Sequence, residues 1–154
     1  MAGDEETGGI THIELTFSEL SVSEATKIVS SAKCGAISLF VGTTRDVFEN
    51  KTVVSLEYEA YEVMAQKEMK KLADEVRKQF PVENILIIHR LGNVKVCEAS
   101  IIVGVSSVHR AEAMAATTFI MDRIKARVPV WKKEVYSDGT KNWKENKECN
   151  WRTQ

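Results

Sequence analysis

Between His12 and Phe17 apolar and polar residues alternate, with Ile13, Leu15 and Phe17 on one face, which predicts a strand. Ser21-x-x-Glu24 has the form of a capping box and predicts a short helix to about Ala32. Ile37 to Val41 is a continuous apolar run ending at Gly42, read as a buried strand. A polar loop from Thr43 to Lys51 separates it from a second strand, Val53 to Tyr58, expected to pair antiparallel with the first. From Tyr61 to Phe80 the residues Ala65, Met69, Leu72, Val76 and Phe80 recur at helical spacing, and Pro81 follows the helix end. Ile85 to His89 predicts a buried strand, Leu91-Gly92-Asn93 a turn, and Ala99 to Ser107 a further strand. Val108 to Arg127 predicts a second long helix. Its middle, Ala111 to Met121, is apolar or small almost all round, so it is expected to be buried on most sides, with a second protomer covering one face. Pro129 stops that helix. Val130 to Tyr136 then predicts a strand, Ser137-Asp138-Gly139 a turn, and the rest a polar tail with Trp143 and Trp151. The order β-α-β-β-α-β-β-α-β mixes hairpins with helical crossovers and predicts an α+β fold with two long helices. Residues 1–11 are expected to form a disordered tail and residues 12–154 a single domain.

Composition narrows the function. The chain has 154 residues, 44% hydrophobic and 28% charged, enough for a real core. A net charge of −1 gives no reason to expect nucleic acid or an anionic membrane as partner, so any cationic site must be local. No apolar run reaches the length of a membrane span, and the acidic, polar N-terminus lacks the features of a secretory signal. Cys34, Cys97 and Cys149 are odd in number and widely spaced, which suits neither a zinc site nor a disulfide framework. A cytosolic protein with reduced, mostly structural cysteines is expected. No metal-ligand spacing, phosphate-binding glycine loop or nucleophile elbow is present, so neither a metal nor a cofactor is expected.

The densest chemistry lies in Val128-Pro129-Val130-Trp131-Lys132-Lys133-Glu134. In an extended segment Trp131 and Lys133 share one face, and Val130 and Lys132 the other, so at most one lysine easily faces a given pocket. A lysine beside apolar neighbours is a point charge for phosphate and a candidate acid, base or nucleophile. Lys125 sits where it also counters the helix dipole. Thr43, Thr44 and Arg45 follow a strand end, where Arg45 can fork onto a carboxylate or phosphate or can equally be a surface arginine of a solvated turn. Ser106-Ser107-Val108-His109-Arg110 opens a helix, a place that favours an anion but needs no ligand to be stable. His89-Arg90 reads as structural or as part of an interface. His109 and Lys125 are sixteen positions apart on one helix, roughly 24 Å, so a small ligand can touch both only if a symmetric dimer brings two chains together. Unaided, these residues point to an anion site rich in Arg, His and Lys at a dimer interface and name no reaction.

Taken in order, several segments resemble the large, catalytic subunit family of the molybdopterin synthases, animal type. They are Gly35-Ala36 into Phe40-Val41-Gly42-Thr43-Thr44-Arg45, Leu56-Glu57-Tyr58-Glu59-Ala60-Tyr61 with Met64-Ala65, and His89-Arg90-Leu91-Gly92. Ser106 to Arg110, and Asp122 through Lys125 into Pro129 to Glu134, complete the set. The resemblance implies an α/β-hammerhead fold and a homodimer within a heterotetramer. It also implies a small ubiquitin-like sulfur-carrier subunit as partner, whose C-terminal Gly-Gly thiocarboxylate threads into the pocket. Two sulfurs pass to cyclic pyranopterin monophosphate and form the dithiolene of molybdopterin, without a metal at this step. The matching positions give Lys125 and Lys132 the reactive centre. They give substrate binding to Thr43, Thr44, Arg45, His109, Arg110, Lys133 and Glu134, with His109 and Arg110 reaching in from the other protomer. The competing expectation is a non-catalytic dimeric module that binds a carrier tail or a phosphorylated ligand.

Overall fold

The computed structural model describes residues 8–144. The expected N-terminal tail lies partly outside this range, as do Cys149 and Trp151; Gly8 to Ile10 carry no regular structure. The elements are β1 (Thr11–Thr16), α1 (Val22–Val29), β2 (Ala36–Thr43), β3 (Val47–Phe48), β4 (Lys51–Ala60), α2 (Glu62–Gln79), β5 (Ile85–Arg90), β6 (Gly92–Lys95), β7 (Ala99–Ser107), α3 (Arg110–Arg127), β8 (Val130–Tyr136) and β9 (Lys141–Lys144). This is the α+β class expected, with a four-stranded sheet in the order β1-β5-β7-β2 and a second sheet in the order β3-β4-β8-β9, to which β6 adds on β4. In the first sheet β1 runs parallel to β5 and the other pairs are antiparallel.

Strand alternation sorts the core into two layers. Ile85 and Ile87 of β5, with Ile101, Val103 and Val105 of β7, meet Ala65, Met69, Leu72 and Val76 of α2 and Ala116, Phe119, Ile120 and Ile124 of α3. The other face carries Leu86, Ile88 and Ile102 against Ala25 and Val29 of α1. Burying each large aliphatic side chain contributes about 1.5–3 kcal/mol, so β5 and β7, covered on both faces, anchor the fold. Gly104 makes the α1 layer possible: a Cβ there would lie 2.8 Å from Leu39 Cδ2 and 3.3 Å from Val29 Cγ1. Ser21 Oγ accepts the Glu24 amide hydrogen bond at 3.2 Å, the first half of the expected capping box. Arg77 of α2 holds the start of β1, donating from its guanidinium to the carbonyls of Glu83 at 2.7 Å and Ile10 at 2.9 Å and to Thr11 Oγ1.

Five expectations are corrected. Ile37 to Val41 is not a buried strand, since β2 is the edge strand of the first sheet and Ile37 and Phe40 are exposed. Val53 to Tyr58 does not pair with the strand before it: β2 pairs with β7, and β4 lies in the second sheet against β3, β6 and β8. The expected loop from Thr43 to Lys51 instead holds the tight β3–β4 hairpin, with Glu49 (φ 47°) and Asn50 (φ 64°) both left-handed as a two-residue hairpin turn demands. Gly92 (φ 81°) turns the chain but also begins β6, and the expected polar tail forms β9 against β8. These corrections aside, the middle of α3 is covered on one side within the chain. Ala113, Ala116, Thr117, Phe119 and Ile120 are buried, whereas Ala111, Met114, Ala115 and Thr118 are exposed. Among the described residues no helix is long and apolar enough to cross a membrane.

Candidate functional site

The strand end that carries Arg45 is shaped by a bulge. Gly42 lies opposite Ile101 and Thr43 opposite Ala99, so Ser100 is an extra residue in β7, and its hydroxyl donates to the Gly42 carbonyl at 3.4 Å. A bulge bends its strand and re-aims neighbouring side chains. Gly42 serves packing here, since a Cβ would lie 2.6 Å from Ile101 Cγ2. Thr44 is only 3% exposed. Its amide donates to the Glu98 carbonyl at 3.2 Å and its carbonyl accepts from the Cys97 amide at 3.0 Å. Thr43 and Arg45, on either side of it, are exposed.

Lys132 reaches the same neighbourhood through Tyr58. The two are directly opposite on β8 and β4, so their side chains share a face about 5 Å apart at the backbone. Tyr58 bridges the two sheets: its hydroxyl hydrogen-bonds Ser100, and its ring meets the His89 ring edge-on at 4.9 Å. Burial raises the Tyr58 pKa above the usual 10, with the Ser100 bond acting the other way, so the phenol stays neutral at pH 7. On the same face Glu134 is 3% exposed and accepts the Tyr136 hydroxyl at 2.7 Å, an arrangement that ties down the strand after Lys132. Lys133 points the opposite way. Its Nζ stands 4.3 Å over the Trp143 ring, with Glu57 directly across on β4. Trp131, on that face too, meets Tyr61 edge-on at 4.9 Å. The alternation expected of the Trp-Lys-Lys segment therefore holds, and Lys133 is separated from Lys132 and Glu134.

The path of α3 decides which other residues join. Only Val108 and His109 separate β7 from α3, and α3 packs on β7 and β2, so the helix must run back along the sheet. Ala99 to Ser107 rises roughly 26 Å and His109 to Lys125 roughly 24 Å. The last turn of α3, with Lys125, thus returns to the sheet end that holds Thr43 and Ser100. His109 and Arg110 lie at the far end, where the Gly35 amide donates to the Val108 carbonyl and Ser107 Oγ to the His109 carbonyl. His109 is the N-cap of α3 without a side-chain capping bond, and both it and Arg110 are exposed. Thr43, Arg45, Lys125 and Lys132 thus gather at one end of the four-stranded sheet, and His109 and Arg110 stand at the other.

His89 lies beside this site but is not poised to titrate near neutrality. Burial pushes its pKa down to about 4, only partly offset by the Nδ1 bond to the Arg90 carbonyl at 2.7 Å. Nδ1 must donate to that carbonyl, and it is burial that keeps the imidazole neutral. Because the folded pKa is depressed below the ordinary 6.5, the unfolded chain takes up the proton first as pH falls. Stability is full above pH 6.5 and is lost between there and about pH 4. The expected loss is about 2 kcal/mol, less than the full shift because the ring keeps an exposed edge. Denaturant midpoints at pH 7.5 and 4.5 check this: His89→Asn should lose less stability on acidification than the unsubstituted chain, and equal losses would contradict it.

Sequence reasoning did not single out Tyr58, Ser100 or Glu98 as residues of the site. Ser100 breaks an apolar alternation beside the strand end, and Lys95-x-x-Glu98 has the spacing of a local side-chain cap; those were the available signals. Cys97 is exposed and left-handed (φ 71°), so it is no core cysteine, while Cys34 is partly buried. Among the described residues no group of three His, Cys, Asp or Glu could hold a metal.

Comparisons with known proteins add the following. The family model described as MoaE protein matches residues 15–127. A molybdopterin synthase catalytic subunit from Bos taurus is 53% identical over 141 residues, which cover 92% of this chain and 75% of that protein. The crystal structure of molybdopterin synthase from Staphylococcus aureus superposes with a TM-score of 0.80 at 30% identity, covering 85% of this chain and 95% of that one. A complex of subunits 1 and 2 of molybdopterin-converting factor from Helicobacter pylori gives a TM-score of 0.72 at 19% identity, covering 90% and 92%, a likeness of fold.

Proposed function

The chain belongs to the MoaE family, and from that premise we propose that it is the catalytic subunit of a molybdopterin synthase. It transfers sulfur from the C-terminal thiocarboxylate of a small ubiquitin-like carrier subunit to cyclic pyranopterin monophosphate, forming the dithiolene of molybdopterin. What supports the reading in this chain is the convergence of Arg45, Lys125 and Lys132 at one end of the sheet, built by the Ser100 bulge and the return of α3. The thiocarboxylate sulfur attacks a substrate carbon that bears oxygen, so a C–S bond forms as the C–O bond breaks. Water then cleaves the acyl–sulfur bond, releasing the carrier as its carboxylate and leaving the sulfur on the substrate. Negative charge grows on the departing oxygen, and cations or proton donors fixed beside it lower the barrier. Lys125 and Lys132 take that role. Arg45, on its bulged strand end, binds the anionic part of the substrate, with Thr43 beside it and the buried Thr44 fixing the backbone.

The proposed assembly is a homodimer of this chain, each half taking one carrier subunit, in the cytosol. Met114 at 60% exposure on α3, with Phe40 at 40% on the α3 side of the edge strand β2, offers the apolar surface for the second copy. His109 and Arg110 enter the site from that copy. Lys133 and Glu134 contribute indirectly: Glu134 through Tyr136, and Lys133 from the opposite face of β8.

Steady-state kinetics of Arg45→Ala test the reading. Loss of a charge-assisted bond to the substrate should raise KM for cyclic pyranopterin monophosphate by about 10- to 100-fold with carrier affinity unchanged. An unchanged KM would remove Arg45 from the site.

A further inference from the structure

Arg45 is exposed and lies two residues beyond the end of β2. The structure does fix the residue before it. Thr44 is gripped on both sides of its backbone by the turn between β6 and β7, through the Glu98 carbonyl and the Cys97 amide. That turn is itself held in an uncommon shape. Cys97 is left-handed at φ 71°, a conformation that is unfavourable for a non-glycine residue and persists only when its surroundings over-determine it. The Glu98 side chain supplies the determination. Its Oε1 accepts the Lys95 amide at 2.9 Å, the Glu98 amide donates to the Lys95 carbonyl at 3.0 Å, and its Oε2 lies 3.4 Å from Arg90 Nη1. Arg90 ends β5, whose first four residues are buried, and its side chain is 14% exposed. Its buried Nε and Nη1 make no hydrogen bond among the described residues, so the 3.4 Å approach of Nη1 to Glu98 is a charge contact, and it is the ion pair that offsets burial of the guanidinium.

We propose that Arg90 and Glu98 are positioning residues for Arg45: their ion pair clamps the β6–β7 turn to the core strand β5, and the turn in turn fixes Thr44 and the strand end that presents Arg45. The inference rests on the reading of Arg45 as a substrate-binding residue and goes beyond it by assigning a function to two residues that do not touch the substrate. The clamp joins the rigid centre of the first sheet to an exposed binding group through one ion pair and the backbone hydrogen bonds of the turn.

The test has two arms. Amide hydrogen exchange reads the grip directly. In Glu98→Gln the Thr44 and Cys97 amides should exchange at least about tenfold faster, with β5 and α2 amides unchanged, because one local hold of about 1.4 kcal/mol has gone. Kinetics read the consequence. Glu98→Gln should raise KM for cyclic pyranopterin monophosphate by about five- to tenfold with kcat within about twofold. In an Arg45→Ala background the same substitution should change KM by less than about twofold, since the residue it positions is absent. Arg90→Met should repeat both results, which guards against a defect peculiar to the glutamine substitution. Unchanged exchange at Thr44 and Cys97, or a KM effect that persists in the Arg45→Ala background, overturns the clamp. A single Arg45→Ala substitution without effect on KM overturns the site reading and the clamp with it, which separates the two failures.

Discussion

Replacing Lys132 by alanine is expected to lower turnover by about 10²- to 10⁴-fold while the chain still folds and binds its carrier. Lys132 sits opposite Tyr58 in the middle of a paired strand, so its backbone bonds survive the change. The effect should fall on kcat, because the charge it stabilises develops only as the sulfur–carbon bond forms. Lys132→Arg should not restore the rate, since a guanidinium keeps its proton and a planar fork does not fit the place of a point charge. Lys125→Ala should behave in the same way from the last turn of α3. Turnover assays paired with carrier-binding isotherms check this. Loss of affinity with turnover per bound carrier preserved would favour the alternative of a non-catalytic binding module.

Mixing Arg110→Ala protomers with Lys125→Ala protomers should restore activity that neither variant has alone. Arg110 opens α3 and Lys125 lies in its last turn, roughly 22 Å apart by helical rise, too far for one small substrate. Two copies related by a twofold axis resolve the separation by placing the start of one α3 beside the end of the other. In a mixed dimer one site then carries both substitutions and the other carries neither. At equal proportions, randomly assorted protomers should recover about one quarter of the unsubstituted activity, because half of the dimers are mixed and each has one intact site of two. Activity that stays at the level of the separate variants across all mixing ratios, with protomer exchange verified, would contradict a site built from two chains.

The sequence was most legible where periodicity is long. Ala65, Met69, Leu72 and Val76 recur at helical spacing and all are fully buried on the sheet. The burial of β5 was legible in its continuous apolar run, whereas β7 read only as a strand of alternating residues. What escaped was short or non-local. β6 hides behind Gly92, which reads as a turn and is also the first residue of a strand whose partner lies more than thirty positions away. The β3–β4 hairpin turns on Glu49-Asn50, a pair without the glycine that normally announces such a turn. For the site, the separation of His109 from Lys125 followed from helix rise alone. The placement of Arg45, Lys125 and Lys132 at one end of the sheet did not, because it depends on the direction in which α3 returns and on a bulge at Ser100. The opposed directions of Lys132 and Lys133 followed from strand alternation, yet the resemblance assigned both to the site. The alternation matches the geometry, with Lys133 stacked on Trp143.

The central claim is that this chain performs sulfur transfer and that its lysine centre carries the reaction. The most direct measurement is a single-turnover assay that mixes the protein with thiocarboxylated carrier and cyclic pyranopterin monophosphate and detects the dithiolene product. The account predicts product with the unsubstituted chain and none on the same timescale with Lys125→Ala, carrier binding being intact. A folded, carrier-binding, unsubstituted dimer that forms no dithiolene would contradict it.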